Sequence, residues 1–146
     1  MEIRLLQSSD YAGWYTLWQK YLQFYQTSLC DSVSNETWRK VTQTKTVKGF
    51  GAFNEHGHLL GFTHIVIHPN TWNNTDSCYL EDLFVSEEAR RKGVARQLIE
   101  TVYQYATDNQ LNRVYWLTAQ DNLQAQALYN QVARKTGMIQ YRRDFT

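Results

Sequence analysis

The stretch from Cys78 to Ala106 constrains the fold more than any other part of the chain. It opens with Cys78-Tyr79-Leu80-Glu81-Asp82-Leu83-Phe84-Val85, a largely apolar run of strand length. A polar connection follows, Ser86-Glu87-Glu88-Ala89-Arg90-Arg91-Lys92-Gly93. Val94, Leu98, Val102 and Tyr105 or Ala106 then recur at helical spacing. Strand, basic loop and amphipathic helix in succession require a sheet with a helix packed on it. Val114 to Thr118 supplies a further strand.

The rest of the chain fits around that unit. Ile3 and Leu5 alternate with Glu2 and Arg4, which suits a short strand. Trp14, Leu17, Trp18, Tyr21 and Tyr25 share one face of a helix over residues around 10–26, and a weaker helix starts at Ser34 or Asn35. Gly49–Phe53 and Leu59–His68, joined by the turn residues Asn54-Glu55-His56-Gly57, predict a hairpin. Asp121 or Asn122 caps a helix carrying Ala125, Leu128, Tyr129 and Val132. Gly137 ends it, and Met138 to Phe145 forms the last strand. The predicted order is β-α-α-β-β-β-α-β-α-β, one α/β domain over residues 1–146 with a mixed sheet and helices on both faces.

Composition removes several classes of function. With 42% hydrophobic and 20% charged residues the chain is globular rather than disordered. A net charge of +1 lacks the basic excess of a nucleic-acid binder. Cys30 and Cys78 lie in no metal-ligand cluster, so no metal site is expected. No leader or membrane-span pattern is present, and the reading is a cytoplasmic, reduced protein without a membrane partner. The 5 Trp and 10 Tyr are read first as packing groups.

The basic loop is where chemistry enters. A helix start leaves its first N–H groups unpaired and carries a partial positive charge, which suits a phosphate anion. Gly93 lets the backbone approach a ligand, and Arg90, Arg91, Lys92 and Arg96 surround it with charge. Neither the GxxxxGK[ST] loop nor the GxGxxG fingerprint occurs. On the residues alone, a phosphate cradle and a solvated basic turn both remain open.

Three blocks in order carry a resemblance. Arg90-x-x-Gly93-x-Ala95 resembles the [QR]-x-x-G-x-[GA] motif of the GNAT N-acetyltransferase superfamily, between fourth strand and third helix. Tyr79 to Val85 resembles the fourth strand of polyamine (spermidine/spermine) acetyltransferases. Asn122, Ala125 to Ala127 and Leu128-Tyr129 resemble the family's N-x-x-A-x-x-[LF]-Y segment. The resemblance implies a sheet splayed open between strands four and five, with acetyl-CoA as cofactor. The edge formed by Leu83, Phe84 and Val85 would pair with its pantetheine arm. Arg90, Arg91, Lys92, Gly93, Val94, Ala95 and Arg96 would hold the pyrophosphate, and Asn122 would bind the arm, cap the helix, or both.

Transfer to an amine needs a proton donor and a proton acceptor. By resemblance Tyr129 protonates the departing thiolate, although its helical face would also suit packing. Glu81 is the favoured base and Asp82 the alternative. Neighbouring residues on a strand point to opposite faces, so one of the two is expected to serve structure. Cys78 is read as packed rather than nucleophilic. The implied function is acetylation of a primary amine, a small aliphatic amine or polyamine, with amino acids or protein lysines as alternative acceptors. A non-catalytic acetyl-CoA sensor is the reading from another class. Many members of this superfamily end in a hairpin, whereas about one strand's worth of residues follows the last helix here. A neighbouring subunit would then complete the acceptor wall, so a homodimer is expected. The loop from Pro69 to Asp76, with Trp38, Trp72 and Trp116, is the other candidate acceptor wall.

Overall fold

The turn at Asn54–Gly57 organises the middle of the chain. The Asn54 side chain accepts hydrogen bonds from the N–H groups of His56 and His58, both at 2.9 Å. Gly57 turns the corner at φ +79°, a left-handed conformation that glycine adopts without steric cost. The turn joins strand β2 (Val47–Phe53) to β3 (Leu59–His68) as an antiparallel pair. In the computed structural model, which describes residues 1–146, β1 (Glu2–Leu5) closes one edge against β2. Strand β4 (Ser77–Val85) runs antiparallel to β3, and β5 (Val114–Tyr115) lies parallel to β4. The sheet order is β1-β2-β3-β4-β5.

Helices cover both faces, as the alternation of patterns predicts. On one side α1 (Tyr11–Phe24) buries Trp14, Leu17, Trp18 and Leu22 against Leu6, Phe53, Phe62 and Phe84. Beside it, α2 (Asp31–Gln43) is pinned by the buried Ser34, whose hydroxyl accepts from the Trp18 indole at 3.0 Å. On the other side α3 (Val94–Asp108) sets Val94, Leu98, Ile99, Val102 and Ala106 towards the sheet. The cluster beneath it includes Phe50, Ala52, Ile65, Cys78 and Leu80. Each large side chain buried this way contributes about 1.5–3 kcal/mol. Helix α4 (Leu123–Val132) packs Leu128, Tyr129 and Val132 on the same side.

The sheet is open between β4 and β5. The two strands meet only where Cys78 faces Val114 and Tyr79 faces Tyr115. From Leu80 to Val85 that edge of β4 has no neighbouring strand, while its other edge stays paired to β3. A bulge interrupts the β3–β4 ladder between His64 and Ile65. Asp82 faces His64, Leu80 faces Ile65, and Glu81 is the extra residue.

Several expectations change. The second helix starts at Asp31, and Ser34 lies inside it as a buried hydrogen-bond partner rather than a cap. Strand β5 is two residues long instead of five, because β4 has diverged and offers no ladder beyond Tyr115. Trp116 therefore sits just past the strand, packed edge-on against Tyr129 at 5.3 Å between ring centres. Helix α4 stops at Val132, with Ala133 already extended, and not at Gly137. The predicted last strand, Met138–Phe145, does not form, since no neighbouring strand reaches it and a strand without a ladder leaves its backbone unpaired. Trp38 is half-buried and packs against the core under α1, its ring centre 4.8 Å from that of Trp14, whereas Trp72 is 90% exposed.

Candidate active site

The open edge of β4 forms one wall of a cavity of about 460 Å³. Leu83, Phe84 and Val85 line that wall. Arg90, Arg91, Gly93, Val94, Ala95 and Arg96 form a second wall, and Asn122, Leu128 and Tyr129 of α4 a third. Tyr21, Phe24 and Tyr25, at the C-terminal end of α1, close the fourth side. Sequence-predicted residues from three separate segments thus meet around one space. Lys92 and Glu81 are the exceptions and do not line it.

The loop has the geometry of an anion cradle. Gly93 is the N-cap of α3 at φ +79°, and Arg91 is also left-handed at φ +63°. None of the six main-chain N–H groups from Arg91 to Arg96 donates to a backbone carbonyl. A Cβ on Gly93 would meet nothing within 4 Å, so the space before the helix is open. A row of unpaired N–H groups at the positive end of a fifteen-residue helix is suited to phosphate oxygens. The flanking arginines are held in place. Arg90 Nε donates to the Val85 carbonyl at 3.1 Å, and its guanidinium lies 5.7 Å from the Phe84 ring centre. Arg96 donates to Gln131 and ties α3 to α4.

Asn122 does two things at once. Its Oδ1 accepts from the Ala125 N–H at 3.3 Å, capping α4, and the residue also faces the cavity. Tyr129 follows two turns later. Burial, and after it the nearby Tyr25, pushes the Tyr129 phenol above its ordinary value. It is therefore protonated throughout the neutral range and able to donate.

The two carboxylates have different surroundings. Asp82 Oδ1 accepts from the Tyr21 hydroxyl at 2.7 Å, and Oδ2 lies 2.8 Å from His64 Nδ1. The Trp14 indole N–H, which can only donate, points at His64 Nε2 at 3.0 Å. That bond puts the imidazole proton on Nδ1, facing Asp82. Both oxygens of Asp82 are thus committed to fixed donors, and the chain Trp14–His64–Asp82–Tyr21 runs from the core to the cavity wall. Glu81, the bulge residue, is open to solvent. Burial of its surroundings first, and Asp82 second, push its carboxyl above the ordinary range, while His64 and Lys40 pull the other way. Cys78 is packed in the core, and burial pushes its thiol up to about 11.

The family model for the "Acetyltransferase (GNAT) family" matches residues 9–133. The chain belongs to the GNAT acetyltransferase family. As such it is an N-acetyltransferase that uses acetyl-CoA. It is 37% identical over 145 residues to the D-amino-acid N-acetyltransferase HPA3 of Saccharomyces cerevisiae, covering 97% of this chain and 89% of that protein. The crystal structure of a probable acetyltransferase superposes with a TM-score of 0.89 at 24% identity, over 100% and 99% of the two chains. An aminoglycoside acetyltransferase, AAC(6')-Iy, in complex with a CoA-linked bisubstrate analogue, has a TM-score of 0.85 at 21% identity, over 99% and 98%. These structures share the GNAT fold with this chain. No helix is long and apolar enough to cross a membrane.

Sequence reasoning missed the α1 wall and the buried network. Tyr21 and Tyr25 reveal a helical face by their spacing, but not that the helix end overhangs another element. Phe24 and Tyr25 stand exposed where the buried stripe of α1 has stopped, which only the structure shows.

Proposed function

We propose that this GNAT enzyme acetylates the primary amine of a small zwitterionic acceptor, with α-amino acids as the leading class. The observation that carries the catalytic reading is the convergence of the β4 edge, the Gly93 loop and Tyr129 on one cavity. Acetyl-CoA supplies the activated acetyl thioester. The N–H groups of the Gly93 loop, with Arg90, Arg91, Lys92 and Arg96 around them, hold its pyrophosphate. The free edge at Leu83, Phe84 and Val85 offers main-chain groups to its flexible arm, and Asn122 adds a side-chain contact. Tyr129, kept protonated by burial, donates a proton to the departing sulfur.

Glu81 serves as the base in this reading. A carboxylate with a raised pKa and no fixed partner accepts a proton more readily than Asp82, whose oxygens are both occupied. The amine must shed its proton before its lone pair attacks the thioester. Glu81 takes that proton directly or through water.

The acceptor class follows from charge. Polyamines carry several cations and call for several free carboxylates. Here Asp82 is consumed by the internal network, leaving Glu81, with Lys40 close enough to bias its ionisation. One anion and one cation fit an ammonium and a carboxylate on the same small molecule. The relative that acts on D-amino acids supports the same reading. A polyamine acceptor remains the second reading, favoured by the strand-four resemblance. The active species is a cytoplasmic homodimer.

The test is thiol release from acetyl-CoA with D- and L-amino acids, spermidine, an aminoglycoside and a basic peptide, each against a no-acceptor control. Amino-acid-dependent release, with Lys40→Ala raising KM for amino acids but not for a plain alkylamine, supports the proposal. Preference for spermidine would replace it with the polyamine reading. Acetyl-CoA binding without release to any acceptor would point to a sensor.

A further inference from the structure

The α1 side of the sheet carries a pair of tyrosines that belongs to neither core. On β4, Cys78 and Leu80 pack beneath α3, so Tyr79 between them faces the opposite side. On β5, Val114 packs towards α3 and Tyr115 points away from it. The register pairs Tyr79 with Tyr115, and their rings stack at 5.1 Å between centres and 24° between planes. Neither ring packs into the cluster under α1 or the cluster under α3. Tyr79 is half-buried, and Tyr115 is 38% exposed.

The outer ring is fixed in place. His68 follows His64 by four residues on β3, which sets both on the α1 side. Its Nδ1 lies 2.7 Å from the Pro69 carbonyl oxygen, which can only accept, so the ring proton is on Nδ1. Nε2 is then an acceptor, and the Tyr115 hydroxyl donates to it at 2.7 Å. The His68 ring also meets the Tyr115 ring edge-on, 5.7 Å between centres. Asn112 fastens the adjoining loop. Its Nδ2 donates to the Thr75 carbonyl at 2.6 Å, and its Oδ1 accepts from the Ser77 hydroxyl at 2.8 Å. A pair that only joins two strands gains from mutual contact. One whose outer ring is also held by a side-chain hydrogen bond presents a plane of fixed orientation.

That plane adjoins the chemistry. Glu81 stands two residues along β4 from Tyr79, and Lys40 of α2 is near enough to bias its carboxyl, which places Glu81 on the same side as the pair. Burial first, then the Glu81 and Asp82 charges, push the Tyr79 phenol above its ordinary value. At the far end stands Arg113, two residues before Tyr115 and in no ion pair. Burial pushes the Tyr115 phenol up, and the Arg113 charge pulls it back. The face thus runs from an anion, over two stacked rings, to a cation.

We infer that the Tyr79–Tyr115 pair is a subsite for the acceptor's side chain and selects aromatic groups. The inference rests on Glu81 as the base that receives the amine. Alternate residues of a strand lie about 6–7 Å apart, within reach of a ring carried one methylene from the α-carbon. With the ammonium at Glu81 and the carboxylate towards Lys40, an aromatic side chain lies over the stacked pair. Arg113 repels a basic side chain in the same place, and a polyamine laid along this face meets that same repulsion. Aromatic contact on a fixed ring discriminates against a methyl group by about 10-fold. His68 is a positioning residue that acts through Tyr115.

The test compares acetyl transfer to phenylalanine with transfer to alanine, and to phenethylamine with transfer to ethylamine. In the wild type, kcat/KM should favour the aromatic member of each pair by about 10-fold. Tyr79→Ala and Tyr115→Ala should bring both ratios towards one. Tyr79→Leu keeps an apolar side chain on the strand but no ring, and should lower the ratios as well. Calorimetric titration with CoA identifies the variants that remain folded. His68→Ala should raise KM for phenylalanine more than it changes kcat, and rescue by His68→Gln, which can accept from the Tyr115 hydroxyl, separates positioning from simple loss of structure. No aromatic preference in the wild type, or one that survives the Tyr79 and Tyr115 substitutions, would overturn the subsite while leaving the amino-acid acceptor standing. If amino acids fail and phenethylamine still outruns ethylamine, the zwitterionic acceptor fails and the subsite stands. Release to none of the four amines would overturn both.

Discussion

Gly93 and Gly57 form a matched pair from which the anion cradle can be tested. Both sit at φ +79°, and at both a Cβ would meet nothing within 4 Å. Alanine at either site therefore costs only the left-handed backbone, about 1–2 kcal/mol. For a chain of 146 residues that lowers Tm by roughly 2–8 °C. The two variants should melt alike. They should not bind alike. Gly57 lies in the β2–β3 turn, while Gly93 lines the cavity in front of α3. A methyl on Gly93 occupies the space a phosphate needs in order to reach the N–H row. Losing one hydrogen bond to a charged oxygen costs about 1.5–3 kcal/mol, or roughly 10–100-fold in Kd. Calorimetric titration with CoA, alongside melting curves taken without ligand, reads both quantities. Wild-type affinity in Gly93→Ala would refute the cradle. An equal loss in Gly57→Ala would show that destabilisation, not position, drives the effect.

Other outcomes follow from the same geometry. Tyr129→Phe should lower kcat by about 100-fold or more while leaving CoA affinity nearly unchanged, and full activity in steady-state assays would remove it as the acid. Glu81→Gln should lower kcat/KM and abolish an acidic limb. Because the Glu81 carboxyl is raised, that limb lies above the ordinary 4.5, with activity present above it and lost as pH falls through it. Cys30, exposed and pulled down chiefly by its hydrogen bond with Ser32, should react with a disulfide reagent before unfolding, and Cys78 only after it. The Arg4 guanidinium, bonded to Asp10 at 2.8 and 3.0 Å, holds that carboxyl below its ordinary 3.8. The stability this adds, about 1 kcal/mol, is complete above the ordinary value and disappears as pH falls through the lowered one. Asp10→Asn should flatten that part of the acid-unfolding curve.

How far the sequence spoke depended on whether a feature was local. The Arg90-x-x-Gly93-x-Ala95 loop, the cap at Asn122 and the hairpin turn at Gly57 each depend on neighbouring residues, and each was legible. Strands need neighbours elsewhere: β5 ends where β4 diverges, and residues 138–145 meet no neighbouring strand. The alternation of Ile139, Tyr141 and Phe145 predicts a strand that does not form, because no pattern in the residues says which edge a strand will find. The α1 wall was unreadable for a similar reason, since the spacing of Tyr21 and Tyr25 fixes a helix face and not the packing of its end.

The bulge at Glu81 explains why the two neighbouring carboxylates differ in their surroundings. Strict alternation places residues 81 and 82 on opposite faces, and on that premise one carboxylate serves structure. In the fold, Leu80 faces the α3 core and Phe84 the α1 core, although both are even-numbered. Parity has therefore flipped between them, at the one residue that has no counterpart on β3. The flip turns Asp82 towards His64 and Tyr21 on the α1 side, where it is held by two donors. It leaves Glu81 outside the ladder, beside Asp82 and Lys40 but tied to neither by a hydrogen bond. A single inserted residue thus separates a carboxylate held by two donors from one without a fixed partner. Asp82→Asn should disturb the Tyr21 ring and with it CoA binding, whereas Glu81→Gln should spare CoA binding and reduce turnover. The reverse pattern in paired binding and rate measurements would exchange the two roles.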